Sequence, residues 1–263
     1  MRKKSLVAPE WWDYTTLDDD LIADAAKLEV DDFPGLSRDG FRVVFYDTLA
    51  ALIDRAPQLD HAVVLAPNNP LGEMPDTEQL RALAATLGPG RLIVDAAFMD
   101  CVDAPPALPA SAIVLRSVGK FFGLAGLRLG FMIGRGPAAT ALHEQLQPWG
   151  VSHPARWIGR HALVDRAWQA GQQRRIIDSS RSLVELLDRH FSYQVVASAG
   201  LFASVFFDDD ERAGRVHTAL AEQAIWTRLG DDGLWLRFGL PGGGPAAARL
   251  DAALNTIAIR GLC

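Results

Sequence analysis

The sequence predicts an α/β fold in which a large domain with a mostly parallel, helix-covered sheet precedes a smaller α+β domain. Short apolar runs bounded by turn residues alternate with segments of helical periodicity in the first half of the chain, which is typical of parallel sheets. Polar residues directly follow three of these runs, where open α/β sheets bind ligands. We predict a large domain over residues 1–153, then linking helices and a small C-terminal domain over residues 154–263.

Local patterns predict the elements of the large domain. The β-branched run 61–65 lies between Asp60 and Pro67 and predicts a strand buried on both faces. Asp76 precedes leucines at helical spacing, as an N-cap does. The predicted strands cover residues 41–46, 61–65, 91–94, 110–115 and 129–133. The predicted helices cover residues 21–28, 49–56, 76–87 and 138–147.

The C-terminal half begins with two long helical patterns and continues with shorter elements. The predicted helices cover residues 155–169, 174–190 and 216–223, with a last helix that ends at residue 259. The predicted strands cover residues 193–196, 201–207, 225–229 and 234–238. This order of elements predicts a compact α+β unit.

Composition and charge narrow the class of function. The 263 residues are 49% apolar and 22% charged with a net charge of -6, so we expect no nucleic-acid partner. No run approaches the roughly 20 apolar residues of a membrane helix, and the basic opening lacks the apolar core of a signal peptide. Cys101 and Cys263 form neither a disulfide framework nor a metal motif. We expect a cytoplasmic protein with no membrane partner and no bound metal.

The stretch LRSVGKFFGLAGLRLGF, residues 115–131, contains a lone lysine in apolar, glycine-rich surroundings. Burial there would disfavour the ammonium form of Lys120 and leave an amine nucleophile. Ser117 and Arg128 flank it with a hydroxyl and a cation that suit a phosphate. The pattern indicates a Schiff-base lysine for pyridoxal phosphate, although an isolated motif of this kind is also typical of a surface lysine beside a glycine turn.

Three further residues match the other demands of pyridoxal chemistry. A protonated pyridine nitrogen needs a carboxylate, which Asp95 offers at a strand end. The phenolic oxygen needs a donor, and the amide of Asn69 is one. Arg237 in LWLRFGLPG is suited to the carboxylate of an amino-acid substrate. Taken singly, these residues could equally be a strand cap, a turn residue and a surface charge.

The motifs PNNPLG, VDAAF, RSVGKFFGLAGLRLGF and LRFGLPG, in this order, resemble those of the class I/II aminotransferase family of pyridoxal-phosphate enzymes. PWGVSHPA and SAGLFASV add a likeness to its threonine-phosphate decarboxylase branch. The resemblance implies fold type I, a homodimer and decarboxylation of L-threonine O-3-phosphate to (R)-1-amino-2-propanol O-2-phosphate for cobalamin biosynthesis. It also implies the role of each site residue: Lys120 as the Schiff-base lysine, Asp95 at the pyridinium, Asn69 at the phenolic oxygen, Ser117 and Arg128 at the cofactor phosphate, and Arg237 at the substrate carboxylate.

The chain departs from the family pattern in three places. Ala96-Ala97-Phe98 follows the aspartate where the family commonly has Glu-Ala-Tyr or Glu-Ala-Phe, so no tyrosine hydroxyl is present. The glycine-serine or glycine-threonine helix start that binds the phosphate is not found upstream of Asn69, and neither is an aromatic residue to stack on the ring. We expect an internal shortening between the leader PEWWDYTTLDDDLIADAA, which ends at residue 26, and the strand that begins at residue 41, with one strand and the phosphate-binding helix absent.

Two alternative functions remain open from the sequence. The first is an aminotransferase similar to the histidinol-phosphate aminotransferases, because both reactions begin with the same lysine and cofactor. The second is an inactive, shortened paralogue that retains the fold. A nucleotide-binding domain is disfavoured, since GLAGLRLG does not match G-x-G-x-x-G and the sequence has no P-loop.

Overall fold

A computed structural model describes residues 4–9, 41–46, 48–145, 150–191, 195–259 and 261. They fall into two compact units, the first holding the described residues up to Asn68 and residues 74–173. The second holds residues 69–73 and the described residues from Arg174 onward. The predicted boundary after residue 153 stays a prediction. The predicted helix over 21–28 and the predicted shortening between residues 26 and 41 lie outside the described residues.

The first unit is built on a mixed sheet. Its described strands are β1 (Lys4–Pro9), β2 (Phe41–Tyr46), β3 (His61–Leu65), β4 (Leu92–Asp95), β5 (Ile113–Ser117) and β6 (Gly130–Ile133). They are ordered β2-β1-β3-β4-β5-β6. All neighbouring pairs are parallel except β5 and β6, which are antiparallel. The predicted mostly parallel sheet is therefore confirmed, with β1 as a strand that the sequence patterns did not predict.

The described helices of the first unit are α1 (Leu49–Arg55), α2 (Thr77–Leu87), α3 (Pro137–Gln145) and α4 (His153–Val164). Helices α1 and α2 pack on the sheet through their apolar faces. Helix α2 begins with a capping box in which Asp76 Oδ1 accepts from the Gln79 amide at 2.7 Å. Its leucines are buried in one core with the apolar side chains of β3 and β4. Truncating one of them to alanine would cost about 2–5 kcal/mol.

The long helix α5 (Arg166–His190) contains the division between the two units, at Gln173 and Arg174. The sequence patterns predicted separate helices over 155–169 and 174–190, and this placement of the break is wrong. The break lies at Asp165, whose carboxylate accepts from the Trp168 amide at 3.0 Å and ends one helix while starting the next. Gly171 is tolerated within α5 because glycine does not by itself end a helix.

The second unit is a small α+β structure. Its described strands are β7 (Val195–Ser198), β8 (Phe202–Phe206), β9 (Arg228–Leu229) and β10 (Trp235–Gly239). They form an antiparallel sheet in the order β7-β8-β10-β9. Helices α6 (Asp210–Ala221) and α7 (Gly244–Ile259) enclose its core together with the C-terminal part of α5. Among the described residues, no helix has the length and apolarity needed to cross a membrane.

Candidate active site

Strand ends bring the candidate residues of the first unit to one edge of the sheet. β3, β4 and β5 are parallel neighbours, and the register pairs Asp95 with Leu65 on one side and Leu115 on the other. Asp95 is the last residue of β4, while Ser117 ends β5 three residues before Lys120. The carboxyl edge of a parallel sheet is where ligands bind in α/β folds. The structure therefore places Asp95, Ser117 and Lys120 at the same end of the sheet.

Asp95 is a partly buried carboxylate that accepts one backbone hydrogen bond, from the Ala97 amide at 3.0 Å. Burial raises its pKa, and this effect exceeds the lowering of the pKa by the Ala97 hydrogen bond and by the charge of Lys120. Among the described residues, no basic side chain forms an ion pair with it. A cation placed against Asp95 would offset the cost of burying its negative charge.

Lys120 is exposed, so the buried environment that the apolar stretch predicted is wrong for this side chain. The chain turns after Lys120, whose carbonyl accepts from the Gly123 amide at 3.0 Å, and Gly123 adopts a φ of +67°. Phe121 is buried while Lys120 points away, because neighbouring residues of a turn project in different directions. The Lys120 ammonium nitrogen lies 4.9 Å from the centroid of the Phe98 ring.

Aromatic packing holds the turn that follows Lys120. The Phe122 ring stacks on Trp168 of α5 with centroids 5.7 Å apart and an angle of 12° between the planes. Phe121 meets the same indole edge-on at 5.8 Å. Such ring pairs contribute about 0.5–1.5 kcal/mol beyond the area that they bury. Lys120 is therefore exposed on a turn whose next two residues are anchored to α5.

Ser117 and Arg128 lie on the two arms of the β5–β6 hairpin. Ser117 pairs with Gly130 in the register, and its hydroxyl accepts from the Gly119 amide at 3.0 Å. Arg128 has a left-handed backbone with φ of 48°, is exposed, and donates to the Ala125 carbonyl at 3.2 Å. Ser117 thus ends β5 and Arg128 lies two residues before β6, and each side chain is hydrogen-bonded to nearby backbone.

Cys101 is a buried thiol near this edge of the sheet. Burial and the neighbouring Asp100 raise its pKa to about 12, against the smaller lowering effects of Arg116 and Lys120. Arg116 forms an ion pair with Asp100. Because the thiolate is the reactive form of cysteine, Cys101 is not a nucleophile near neutral pH.

In the second unit, the structure brings together Asn69 and Arg237, two predicted site residues that are 168 positions apart. Arg237 donates to the Asn69 side-chain oxygen at 2.6 Å, and Asn69 is buried. The Arg237 guanidinium carbon also lies 5.1 Å from the centroid of the Phe202 ring. Arg237 is therefore held by a hydrogen bond and by an aromatic face.

The turn after Asn69 packs closely on the end of β7. Gly72 has a φ of +70°, and a Cβ atom there would lie 2.6 Å from the backbone oxygen of Ser198. An L-amino acid with a side chain meets both a backbone clash and an unfavourable φ at this position. The PNNPLG motif thus needs glycine at its end to bring Asn69 against its second-unit partners.

Arg228 is a further candidate that the sequence patterns missed. It is directly opposite Arg237 in the antiparallel pair of β9 and β10, and Ser204 of β8 is opposite Arg237 on the other side. Directly opposite residues project from the same face of a sheet. The sequence signal that could have revealed Arg228 is the turn GDDG at Gly230–Gly233. Its Asp-Gly pair predicts a hairpin, and a hairpin there pairs the strand of Arg228 with the strand of Arg237.

This row combines two partly buried arginines with a buried serine. Like charges directly opposite each other destabilise a sheet, and Arg228 forms no ion pair among the described residues. The Ser204 hydroxyl is fully buried and has no hydrogen-bond partner in the described structure. Two guanidinium groups and a hydroxyl on one face are suited to binding an anionic ligand.

Comparison with known proteins agrees with the motifs. A family model described as aminotransferase class I and II matches residues 20–254. A threonine-phosphate decarboxylase of Pseudomonas aeruginosa is 44% identical over 202 residues, which cover 74% of this chain and 60% of that protein. A histidinol-phosphate aminotransferase of Cupriavidus pinatubonensis is 31% identical, with 80% of this chain and 59% of that protein covered. The chain thus spans about 60% of the length of these curated relatives.

Solved structures share the fold at low sequence identity. Histidinol-phosphate aminotransferase from Sinorhizobium meliloti, crystallised with pyridoxal-5'-phosphate, has a TM-score of 0.78 at 18% identity and covers 99% of this chain and 71% of its own. L-threonine-O-3-phosphate decarboxylase from Porphyromonas gingivalis has a TM-score of 0.70 at 15% identity, with 98% and 77% covered. These similarities show that the predicted fold, that of the fold-type-I enzymes, is correct.

Proposed function

Because this chain belongs to the class I and II aminotransferase family, we propose that it binds pyridoxal phosphate and decarboxylates L-threonine O-3-phosphate. The product would be (R)-1-amino-2-propanol O-2-phosphate, for cobalamin biosynthesis. The names of the relatives that are 44% and 36% identical to it support this choice. The single structural observation that carries the substrate class is the pairing of Arg228 with Arg237 on one face of the second sheet.

The two arginines match the two anionic groups of a phosphorylated amino acid. Arg237 is already oriented by Asn69 and Phe202, and its fork of N–H groups suits a planar carboxylate. Arg228, which lies directly opposite Arg237 on the neighbouring strand and forms no ion pair among the described residues, would bind the phosphate. An anion between them would also relieve the repulsion of two adjacent cations. A substrate without a phosphate would leave Arg228 uncompensated.

The first unit fits the cofactor by the chemistry of its donor set. Asp95 is partly buried and lacks an ion pair among the described residues, so a protonated pyridine nitrogen would compensate its charge. Lys120 is an accessible amine at the same sheet edge, suited to the cofactor aldehyde. Ser117 and Arg128 would hold the cofactor phosphate. The family resemblance adds Asn69 of the second unit, whose amide would donate to the phenolic oxygen.

Each residue then has a distinct task in the reaction. When bound, pyridoxal phosphate supplies an aromatic ring that accepts the electron pair left by the departing carboxylate. Asp95 would maintain the positive charge of the ring nitrogen, and Arg237 would fix the orientation of the substrate carboxylate before it leaves as carbon dioxide. Lys120, freed by the substrate amine, would deliver a proton to Cα.

A second candidate function is amino transfer of the histidinol-phosphate aminotransferase kind. The relative that is 31% identical over 80% of this chain supports it, and a phosphorylated substrate fits Arg228 in either reaction. We also propose a cytoplasmic homodimer, for which the family resemblance is the support. An inactive paralogue would retain the same fold without either activity.

The test is to measure carbon dioxide release with saturating pyridoxal phosphate from threonine phosphate and, separately, from threonine. Arg228→Gln should raise KM for threonine phosphate about 10- to 100-fold, the worth of a charge-assisted hydrogen bond, and leave KM for threonine unchanged. The matched control is Arg181→Gln on the exposed face of α5, which should change neither KM.

Two results would remove the proposal. Absence of carbon dioxide release together with keto-acid-dependent transamination would establish the aminotransferase instead. Absence of both activities would establish the inactive paralogue.

A further inference from the structure

The contact between Lys120 and the Phe98 ring has no place in the roles given so far. The ammonium nitrogen lies 4.9 Å from the ring centroid, within the range of a cation–π interaction. Phe98 follows the pyridinium-binding candidate Asp95 by three residues and leads into the short helical turn Met99–Cys101. Phe98 is partly exposed and Lys120 is exposed. The pair is therefore formed at the accessible edge of the sheet and not within the core.

We propose that Phe98 is a positioning residue that holds the protonated amine of Lys120 and thereby favours decarboxylation over transamination. This inference rests on the proposed function. The ring face carries a negative electrostatic potential that attracts the ammonium group and has no comparable attraction for a neutral amine. Once Lys120 is displaced from the cofactor aldehyde, its ammonium group would therefore be bound by the Phe98 ring.

Whether Lys120 is an ammonium group or a neutral amine determines whether it can assist decarboxylation or transamination. In decarboxylation, the bond between Cα and the carboxylate breaks, carbon dioxide leaves, and Cα must receive a proton. An ammonium group on Lys120 gives that proton to Cα and becomes a neutral amine, so atoms and charge balance without another reactant. In transamination, the first proton movement is the reverse, because a neutral amine must remove the Cα proton.

Other charged groups near Lys120 do not by themselves hold the ammonium in place. Asp95 at the end of β4 interacts with it electrostatically, as does the thiol of Cys101. Asp100 is engaged by Arg116, and among the described residues no carboxylate forms an ion pair with Lys120. Among the described residues, the aromatic ring of Phe98 is therefore the contact partner of the Lys120 amine. The sequence departure at this position, a phenylalanine without a hydroxyl, leaves the ring face as its functional group.

The first arm of the test uses the cofactor-free protein. Acetic anhydride acylates neutral amines, so the labelling rate of Lys120 relative to Lys3, Lys4 and Lys27 reports how firmly its ammonium form is held. At one pH, Phe98→Leu should speed labelling of Lys120 about two- to fivefold, the strength of a cation–π contact at an exposed site. Phe98→Tyr should label at the wild-type rate, and Phe98→Trp should label more slowly because indole binds cations best.

The second arm measures products with pyridoxal phosphate and threonine phosphate. Phe98→Leu should lower the ratio of decarboxylation to transamination by about the same two- to fivefold factor. Phe98→Tyr, which keeps an aromatic ring face, should retain the wild-type ratio. Thermal unfolding of each variant checks that the fold is retained. The series Leu, Phe, Tyr and Trp compares one aliphatic side chain with three aromatic ones.

Equal labelling rates across the series would contradict the inference that Phe98 holds the ammonium group of Lys120. Altered labelling with an unchanged product ratio would contradict the inference that this contact favours decarboxylation. If the wild-type chain releases no carbon dioxide, the proposed function fails, and the labelling series still decides whether Phe98 holds Lys120.

Discussion

Two cationic residues of the candidate site, Lys120 in the first unit and Arg237 in the second, are held in opposite ways. Arg237 donates to the buried Asn69 at 2.6 Å and faces the Phe202 ring. Lys120 is exposed, and the Phe98 ring is its described contact. Arg237, the proposed carboxylate-binding group, is therefore oriented before a substrate arrives, while Lys120, the proposed reactive amine, stays accessible. A group that only binds benefits from pre-organisation, whereas a nucleophile that must be displaced and return needs freedom to move.

Lys120→Ala gives the largest effect that this comparison predicts. Loss of the amine should lower kcat for carbon dioxide release by about 10²- to 10⁴-fold, as for other proton-transferring groups. The free energy of unfolding of the cofactor-free protein should fall by no more than about 1 kcal/mol, since the side chain is exposed and its contact with Phe98 is an exposed cation–π interaction. Steady-state kinetics and thermal denaturation measure the two quantities. Marked destabilisation would show that Lys120 has a structural role as well.

Gly72→Ala should destabilise the second unit strongly, because it adds a Cβ atom against Ser198 at a positive φ. We expect a loss of about 1–3 kcal/mol in the free energy of unfolding. Gly214→Ala is the matched control: Gly214 lies in α6 with open space around it, and alanine should stabilise that helix by up to about 1 kcal/mol. Chemical denaturation of both variants checks this pair, and equal effects would contradict the close packing of the PNNPLG turn.

Arg237→Ala should lower stability as well as substrate affinity, in contrast to Lys120→Ala. It removes a hydrogen-bond donor from the buried Asn69 oxygen, which costs about 1–3 kcal/mol. Arg228→Ala should leave stability unchanged or raise it, because it removes a like charge directly opposite. Urea unfolding of the two variants gives the comparison. The idea of a pre-oriented Arg237 fails if its removal is as harmless as that of Arg228.

Asp95→Asn should raise the stability of the protein at neutral pH and at the same time abolish cofactor binding. Burial raises the pKa of Asp95, so the folded state binds the proton more tightly than the unfolded state does. Stability should fall as pH rises from the ordinary carboxyl pKa through the raised one. The asparagine variant should therefore be more stable than wild type at neutral pH, the two should converge in acid, and cofactor binding should be lost. A wild-type protein that gains stability relative to the variant as pH rises would contradict this sign.

The parts of the fold that could be predicted from sequence are those set by local patterns. The run 61–65 and the capping residue Asp76 each lie in the element that their neighbours predict. Strand β1 could not be predicted, because Leu6, Val7 and Ala8 form a short apolar run between basic residues and Pro9. Its formation depends on pairing with β2 and β3, which are distant in sequence.

In the candidate site, too, some residues could be predicted from local motifs and others only from the structure. Asn69, Asp95 and Lys120 carry recognisable motifs, and each lies at or shortly after the end of a strand. The exposure of Lys120 could not be read from its apolar neighbours, because a turn projects Phe121 inward and the lysine outward. Arg228 has no motif of its own, and only the register of the β9–β10 hairpin gives it a place beside Arg237.

The central claim is that Lys120 is the residue that attaches pyridoxal phosphate, and one measurement tests it most directly. The chain is incubated with the cofactor, reduced with borohydride and digested, and mass spectrometry locates the pyridoxyl group. We predict modification of the peptide that contains Lys120, at one cofactor per chain, and none in Lys120→Arg. Modification spread over Lys3, Lys4 and Lys27, or no stable modification at all, would contradict the account.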